Sequence, residues 1–127
     1  MCLVASSVLI VDDDDRFRAW ARVLLERAGY VVVGEAADGA WAIAAARRAR
    51  PALVLLDLQL PDTDGFAVAR VLCAERSPPA IVLTSTRERG DYGGRIDNSG
   101  ALGFLPKERV SGEALAGLLA RRDGPMD

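Results

Sequence analysis

The sequence predicts a doubly wound α/β domain, a parallel sheet of five strands with helices on both faces, and three observations carry that reading. Unbroken apolar runs at Val8-Leu9-Ile10-Val11, Leu53-Val54-Leu55-Leu56 and Ala80-Ile81-Val82-Leu83 have the pattern of strands buried on both sides. The segments between them place apolar residues at three- and four-residue steps, the spacing of a helix with one inner stripe. Two of the apolar runs end in acid: Asp12 to Asp15 follow the first, and Asp57 follows the second. Strands that alternate with helices need crossover connections, and these make the sheet parallel.

After the first strand, Phe17, Trp20, Ala21, Leu24, Leu25 and Ala28 form the stripe of a helix that Gly29 stops. Val31-Val32-Val33 is a short second strand, and Asp38 caps a helix that runs through Trp41, Ala42, Ile43, Ala45 and Ala46 and ends before Pro51. Leu53 to Leu56 form the third strand, followed by a loop of turn-forming residues, Pro61-Asp62-Thr63-Asp64-Gly65. Phe66, Ala69, Leu72 and Cys73 line a third helix that stops at Ser77-Pro78-Pro79, and Ala80 to Leu83 is the fourth strand. Between Arg87 and Gly100 the glycines Gly90, Gly93, Gly94 and Gly100 encode a fourth helix only weakly, so a short or mobile one is expected. Gly103-Phe104-Leu105 is the fifth strand, and Ser111 caps a last helix carrying Leu115, Leu118 and Leu119. Residues 1–6 are expected to form a flexible N-terminus, 7–122 the domain and 123–127 a polar C-terminal tail.

A chain of 127 residues is long enough for one hydrophobic core and too short for a second domain. With half its residues apolar and a net charge of -2, it has ordinary globular composition and no basic footprint for nucleic acid. Cys2 and Cys73 make no disulfide framework, and no apolar stretch approaches a membrane span or a signal peptide, so a cytoplasmic, soluble protein is expected. The chain has no histidine, which excludes catalytic triads, histidine-ligated metals and phosphohistidine carriers. Phosphoryl chemistry, if present, must run on carboxylate.

In open α/β sheets ligands bind beyond the carboxyl ends of the strands. If the first and third strands are neighbours, Asp12, Asp13 and Asp57 meet there. Three carboxylates in one cleft repel one another unless a cation neutralises them, and an all-oxygen ligand set suits Mg²⁺. Asp14 and Asp15 are better read as helix-capping residues.

Three segments in this order, Val8-Leu9-Ile10-Val11-Asp12-Asp13, Leu55-Leu56-Asp57-Leu58-Gln59-Leu60-Pro61-Asp62-Thr63-Asp64-Gly65 and Gly103-Phe104-Leu105-Pro106-Lys107, resemble the receiver domains of two-component response regulators over about residues 7 to 121. The resemblance implies a flavodoxin-like (βα)5 sheet of order 2-1-3-4-5. It implies that Asp57 takes a phosphoryl group from a sensor histidine kinase or phosphotransfer protein, with Asp12, Asp13, Asp57 and the backbone carbonyl of Gln59 holding Mg²⁺. Lys107 would pair with a phosphoryl oxygen, and Phe104 would be the aromatic switch residue.

A Thr or Ser at the end of the fourth strand would bond the phosphoryl group. Counting from Pro79 favours Thr84, whereas the 22-residue interval from Ser85 to Lys107 fits the family spacing, so Thr84 is preferred and Ser85 is kept beside it. Such a domain is a phosphoacceptor that assists its own phosphorylation and dephosphorylation, not an enzyme in the usual sense. It would signal to a downstream protein through the face of the fourth helix, fifth strand and last helix, as a monomer or weak homodimer, with no direct contact to nucleic acid or membrane.

Other readings are narrower. An aspartate-nucleophile phosphatase would carry a second acid two residues after its nucleophile, where this chain has Gln59. Asp62-Thr63-Asp64-Gly65 echoes part of a calcium-binding loop but lacks its closing Glu. A receiver-like binding module that acts without phosphorylation is the main alternative. The short polar end after Arg122 favours a stand-alone receiver.

Overall fold

The computed structural model describes residues 6–122. The expected flexible N-terminus up to residue 5, including Cys2, and the expected polar tail over 123–127 lie outside the described residues. Five strands form one sheet: β1 (Ser7–Val11), β2 (Val31–Ala36), β3 (Leu53–Asp57), β4 (Ala80–Ser85) and β5 (Gly103–Pro106). Their order is β2-β1-β3-β4-β5, and every neighbouring pair is parallel. The crossovers carry α1 (Asp15–Arg27), α2 (Gly39–Ala49) and α3 (Gly65–Cys73), and α4 (Gly112–Arg122) follows β5. The weakly encoded helix between β4 and β5 is a short 3₁₀ segment, Arg89–Arg95, broken at Gly93 with φ 58°.

Side-chain alternation along the strands sorts the core into two layers. Leu9, Val11, Leu56, Leu83 and Phe104 pack under α2 and α3 with Ala42, Ala46, Val68 and Leu72. Val8, Ile10, Leu55 and Val82 pack against Ala21 and Leu25 of α1 and Leu115 of α4. β1, β3 and β4 are buried along almost their whole length, as their unbroken apolar runs require. At the edge, β2 leaves Val31 and Val33 exposed. Trp20 lies outside the buried stripe of α1, exposed beside Phe17 at 5.6 Å between ring centroids, because Ala21 and Leu25 take the sheet-facing positions.

The helices start where short polar side chains take up their free N–H groups. Asp14 Oδ1 accepts from Arg16 and Phe17, Asp38 from Trp41, Asp64 from Ala67, and Ser111 Oγ from Ala114. Replacing Asp14 by Ala is expected to cost about 1 kcal/mol of stability in a denaturant titration. Asp62, in the β3–α3 loop, also reaches across to accept from Gly39 and Ala40 at 2.7 and 3.0 Å, so that loop is tied to the start of α2. A Cβ at Gly39 would lie 2.3 Å from Thr63 Cγ2 and 3.3 Å from Asp62 Oδ1, so a larger residue there would push against the docked loop.

Candidate functional site

β1 and β3 run side by side with Val11 opposite Leu56, so the residues that follow emerge together at one rim. Asp12, Asp13 and Asp57 each present a carboxylate oxygen within 4.8 Å of the others. Asp12 and Asp57 are buried, while Asp13 faces solvent. Both buried carboxylates are fixed in the same way. Oδ1 of Asp12 accepts the Asp14 N–H at 2.9 Å, and Oδ1 of Asp57 accepts the Gln59 N–H at 3.1 Å. Their Oδ2 atoms face Lys107, whose Nζ lies 2.7 Å from Asp12 and 3.4 Å from Asp57. The shorter contact is a close ion pair, and a carboxylate oxygen in such a pair keeps a second lone pair for a cation.

Burial dominates the electrostatics. It raises the pKa of Asp57 to about 6, aided by the negative charge of Asp12 and opposed by the Gln59 N–H and Lys107. Burial raises Asp12 as well, against Lys107 and the Asp14 N–H. For Lys107, burial works against the charged form, but its two carboxylate partners outweigh that and raise its pKa. Phe17 covers the ammonium from the side, its ring centroid 4.8 Å from Nζ.

With three carboxylates ionised and one ammonium beside them, the cluster carries two net negative charges in a partly desolvated place. A hard divalent cation meets that demand, and the donor set of carboxylate oxygens, without histidine or thiolate, fits Mg²⁺. Gln59, two residues past Asp57, pairs in an isolated antiparallel bridge with Asp64, which holds its peptide at this rim. Gly65 N–H donates to Leu58 O at 2.9 Å. A Cβ at Gly65 would lie 2.5 Å from the Asp57 carbonyl oxygen, so only glycine lets the start of α3 press on the end of β3.

The tertiary structure separates the two candidate hydroxyls. Thr84 is in register with Asp57 and continues the face that carries Val82, the same face as Asp57. Its Oγ1 is buried and has no hydrogen-bond partner among the described residues. Ser85 points to the opposite layer, where its Oγ bonds the Tyr92 hydroxyl at 2.5 Å and accepts the Arg87 N–H at 3.0 Å. Phe104 is buried in that same layer, edge-on to Tyr92 at 6.0 Å.

Three residues near the rim carry little signal in the sequence. Phe17 falls within a helix stripe like any core residue. Asp62 lies among turn residues, although an acid in a loop beside a helix start is a candidate distal cap. Tyr92 is a lone aromatic in a run of glycines and charges, an unusual place for a large apolar side chain. A cavity of about 490 Å³ lined by Arg47, Arg50, Leu72 and Arg76 lies near the starts of β3 and β4, at the other end of the sheet from these carboxylates.

A family model described as the response regulator receiver domain matches residues 8–118. The chain is 42% identical over 108 residues to a protein-glutamate methylesterase/protein-glutamine glutaminase of Anaeromyxobacter dehalogenans, covering 84% of this chain and 31% of that protein. It is 36% identical over 104 residues to the transcriptional regulatory protein PdtaR of Mycobacterium tuberculosis, covering 82% of this chain and 50% of that protein. The chain thus spans about half or less of the length of these curated relatives. Among solved structures it resembles the chemotaxis response regulator CheY4 of Vibrio cholerae, with a TM-score of 0.79 and 28% identity over 93% of this chain and 98% of that one.

Proposed function

The chain belongs to the response regulator receiver domain family, and from that premise we propose that it is a phosphorylation-dependent switch whose phosphoacceptor is Asp57. The observation that carries this reading is the meeting, on one rim, of three carboxylates, the Lys107 ammonium and the unpartnered buried hydroxyl of Thr84. Asp12, Asp13, Asp57 and the Gln59 carbonyl would hold Mg²⁺, which when bound supplies positive charge to the phosphoryl oxygens. A carboxylate oxygen of Asp57 attacks phosphorus as the bond to the donor breaks. When the donor is the phosphohistidine of a sensor kinase, the imidazole departs with the electron pair of the P–N bond. The loose transition state asks the protein mainly for position and neutralisation, and the Gln59 N–H and Lys107 provide both at Asp57.

After transfer, Lys107 pairs with a phosphoryl oxygen and Thr84 donates its hydroxyl to another, a partner that no described residue supplies to this buried group. The resulting change passes to the face made by the 3₁₀ segment, β5 with Phe104, and α4, where a protein target would read it. A sensor kinase of this kind would meet the domain in the cytoplasm, and among the described residues no helix is long and apolar enough to cross a membrane.

Incubation with Mg²⁺ and acetyl phosphate, followed by intact mass measurement, tests the reading. One added phosphoryl group is expected, and it should vanish when Mg²⁺ is chelated. A chain that gains no such mass, and whose melting temperature does not respond to beryllofluoride, would instead be a module that binds its partner unmodified.

A further inference from the structure

We infer that Tyr92, through its hydrogen bond to Ser85, is the latch that couples the phosphoacceptor site to the Arg89–Arg95 segment, with Phe104 as its fixed wall. This inference rests on Asp57 being phosphorylated. From Thr86 to Arg95 every residue is exposed except Tyr92, which is half-buried, and the chain is next buried at Ile96. The segment therefore has one aromatic anchor. That ring sits between Phe66 of α3 at 5.7 Å and Phe104 of β5 at 6.0 Å, edge-on to both. Its hydroxyl reaches Ser85 Oγ at 2.5 Å. Phe104 is only 8% exposed and already fills its place in the core, so the ring with freedom to move is Tyr92.

The backbone on either side permits that motion. Gly93 holds φ 58° and Gly100 holds φ 83°, conformations that glycine adopts without strain and that bracket the stretch between the latch and β5. The other polar ties of the segment lie at the surface or are local to it. Arg89 pairs with Asp97, Arg95 lies 3.8 Å from Asp64, and Glu88 N–H donates to the Asp91 carboxylate at 3.1 Å. Exposed ion pairs hold little, and the Arg95 guanidinium, 4.3 Å from the Phe66 ring, moves with the segment.

Coupling to the site follows from the strand itself. Thr84 and Ser85 are consecutive and point to opposite faces of β4, so a displacement of Thr84 toward a phosphoryl group on Asp57 carries Ser85 with it. The Ser85 hydroxyl then leaves Tyr92 and the Arg87 N–H, and the segment loses its polar tie at the strand end. Phosphorylation is thus read out as loosening of the 3₁₀ segment, and removing the latch should favour the phosphorylated state in return, because coupling between two sites is reciprocal.

Amide hydrogen exchange over residues 87–95 tests this, with intact mass recorded on the same samples. In the wild type, acetyl phosphate with Mg²⁺ should speed exchange there. Unphosphorylated Tyr92→Phe, which keeps the ring packing, should already exchange faster, and its further increase on phosphorylation should largely disappear. Ser85→Ala should do the same, and combining the two should add little. Tyr92→Phe should also bind beryllofluoride about fivefold more tightly, the worth of one hydrogen bond. A full phosphoryl adduct with unchanged exchange over 87–95, or variants whose effects simply add and leave the phosphorylation response intact, would overturn the latch and leave Asp57 phosphorylation standing. Absence of any adduct in the wild type would overturn both.

Discussion

Asp57→Asn is expected to abolish phosphoryl incorporation from acetyl phosphate while making the metal-free protein more stable than the wild type. The first effect follows because an amide oxygen is a poor nucleophile toward phosphorus and brings no charge to a cation site. The second follows from the burial of Asp57. Its folded-state pKa of about 6 exceeds that of an unfolded aspartate, so the ionised form is the one the fold disfavours.

For an acid whose pKa is raised by folding, stability is greatest below the unfolded pKa. It falls as pH rises through the folded pKa, and the loss is complete above it. Each pH unit of difference is worth about 1.4 kcal/mol, which sets a ceiling of about 3 kcal/mol on the cost of an ionised Asp57 at pH 7.5. Asparagine keeps the acceptor for the Gln59 N–H and removes the repulsion with Asp12, but it gives up the attraction to Lys107, so a net gain of about 2 kcal/mol is expected. Denaturant titrations in EDTA at pH 7.5 and pH 5.5 measure it. The wild type should gain stability between those two pH values, and Asp57→Asn should gain much less.

Glu35 does not confuse this test. Its ion pairs with Arg22 and Arg18 hold its pKa below the usual range, so its contribution is lost only at more acidic pH. A wild-type protein that lost stability from pH 7.5 to 5.5 would contradict the account of a strained, metal-seeking carboxylate pair.

Lys107→Ala should have the opposite sign and a comparable size. Removing the ammonium leaves Asp12 and Asp57 buried with only their backbone N–H partners, and an uncompensated buried charge costs about 3–5 kcal/mol. Either carboxylate can escape by taking up a proton, so a loss of about 3 kcal/mol at pH 7.5 in EDTA is expected. The deficit should shrink at pH 5.5, where Asp57 is largely protonated, and it should shrink again on adding Mg²⁺ at pH 7.5. A deficit equal at both pH values and unmoved by Mg²⁺ would mean that Lys107 acts through the packing of its methylene stem, and not through its charge.

The sequence by itself determined the alternation of strands and helices, because runs such as Leu53 to Leu56 are too apolar for any position but the middle of a covered sheet. It also determined the helix starts at Asp38 and Ser111, where capping depends on neighbours a few residues away. Through acids placed at strand ends it named Asp12, Asp13 and Asp57 as one cluster, since parallel strands of one sheet end at one rim.

Only the tertiary structure showed that Thr84 and Ser85 lie on opposite faces of β4, with Thr84 on the face of Asp57. Spacing along the chain fitted both hydroxyls, and the difference between them is which face of β4 each occupies when Asp57 and Thr84 come into register. It alone gave the weakly encoded fourth helix its 3₁₀ form and set Tyr92 against Ser85, and it tied Asp62 to the start of a helix 23 residues away in the chain. Capping and strand burial are written in local pattern. Register, face and long-range pairing are set by how whole layers pack, and no local window of sequence contains that information.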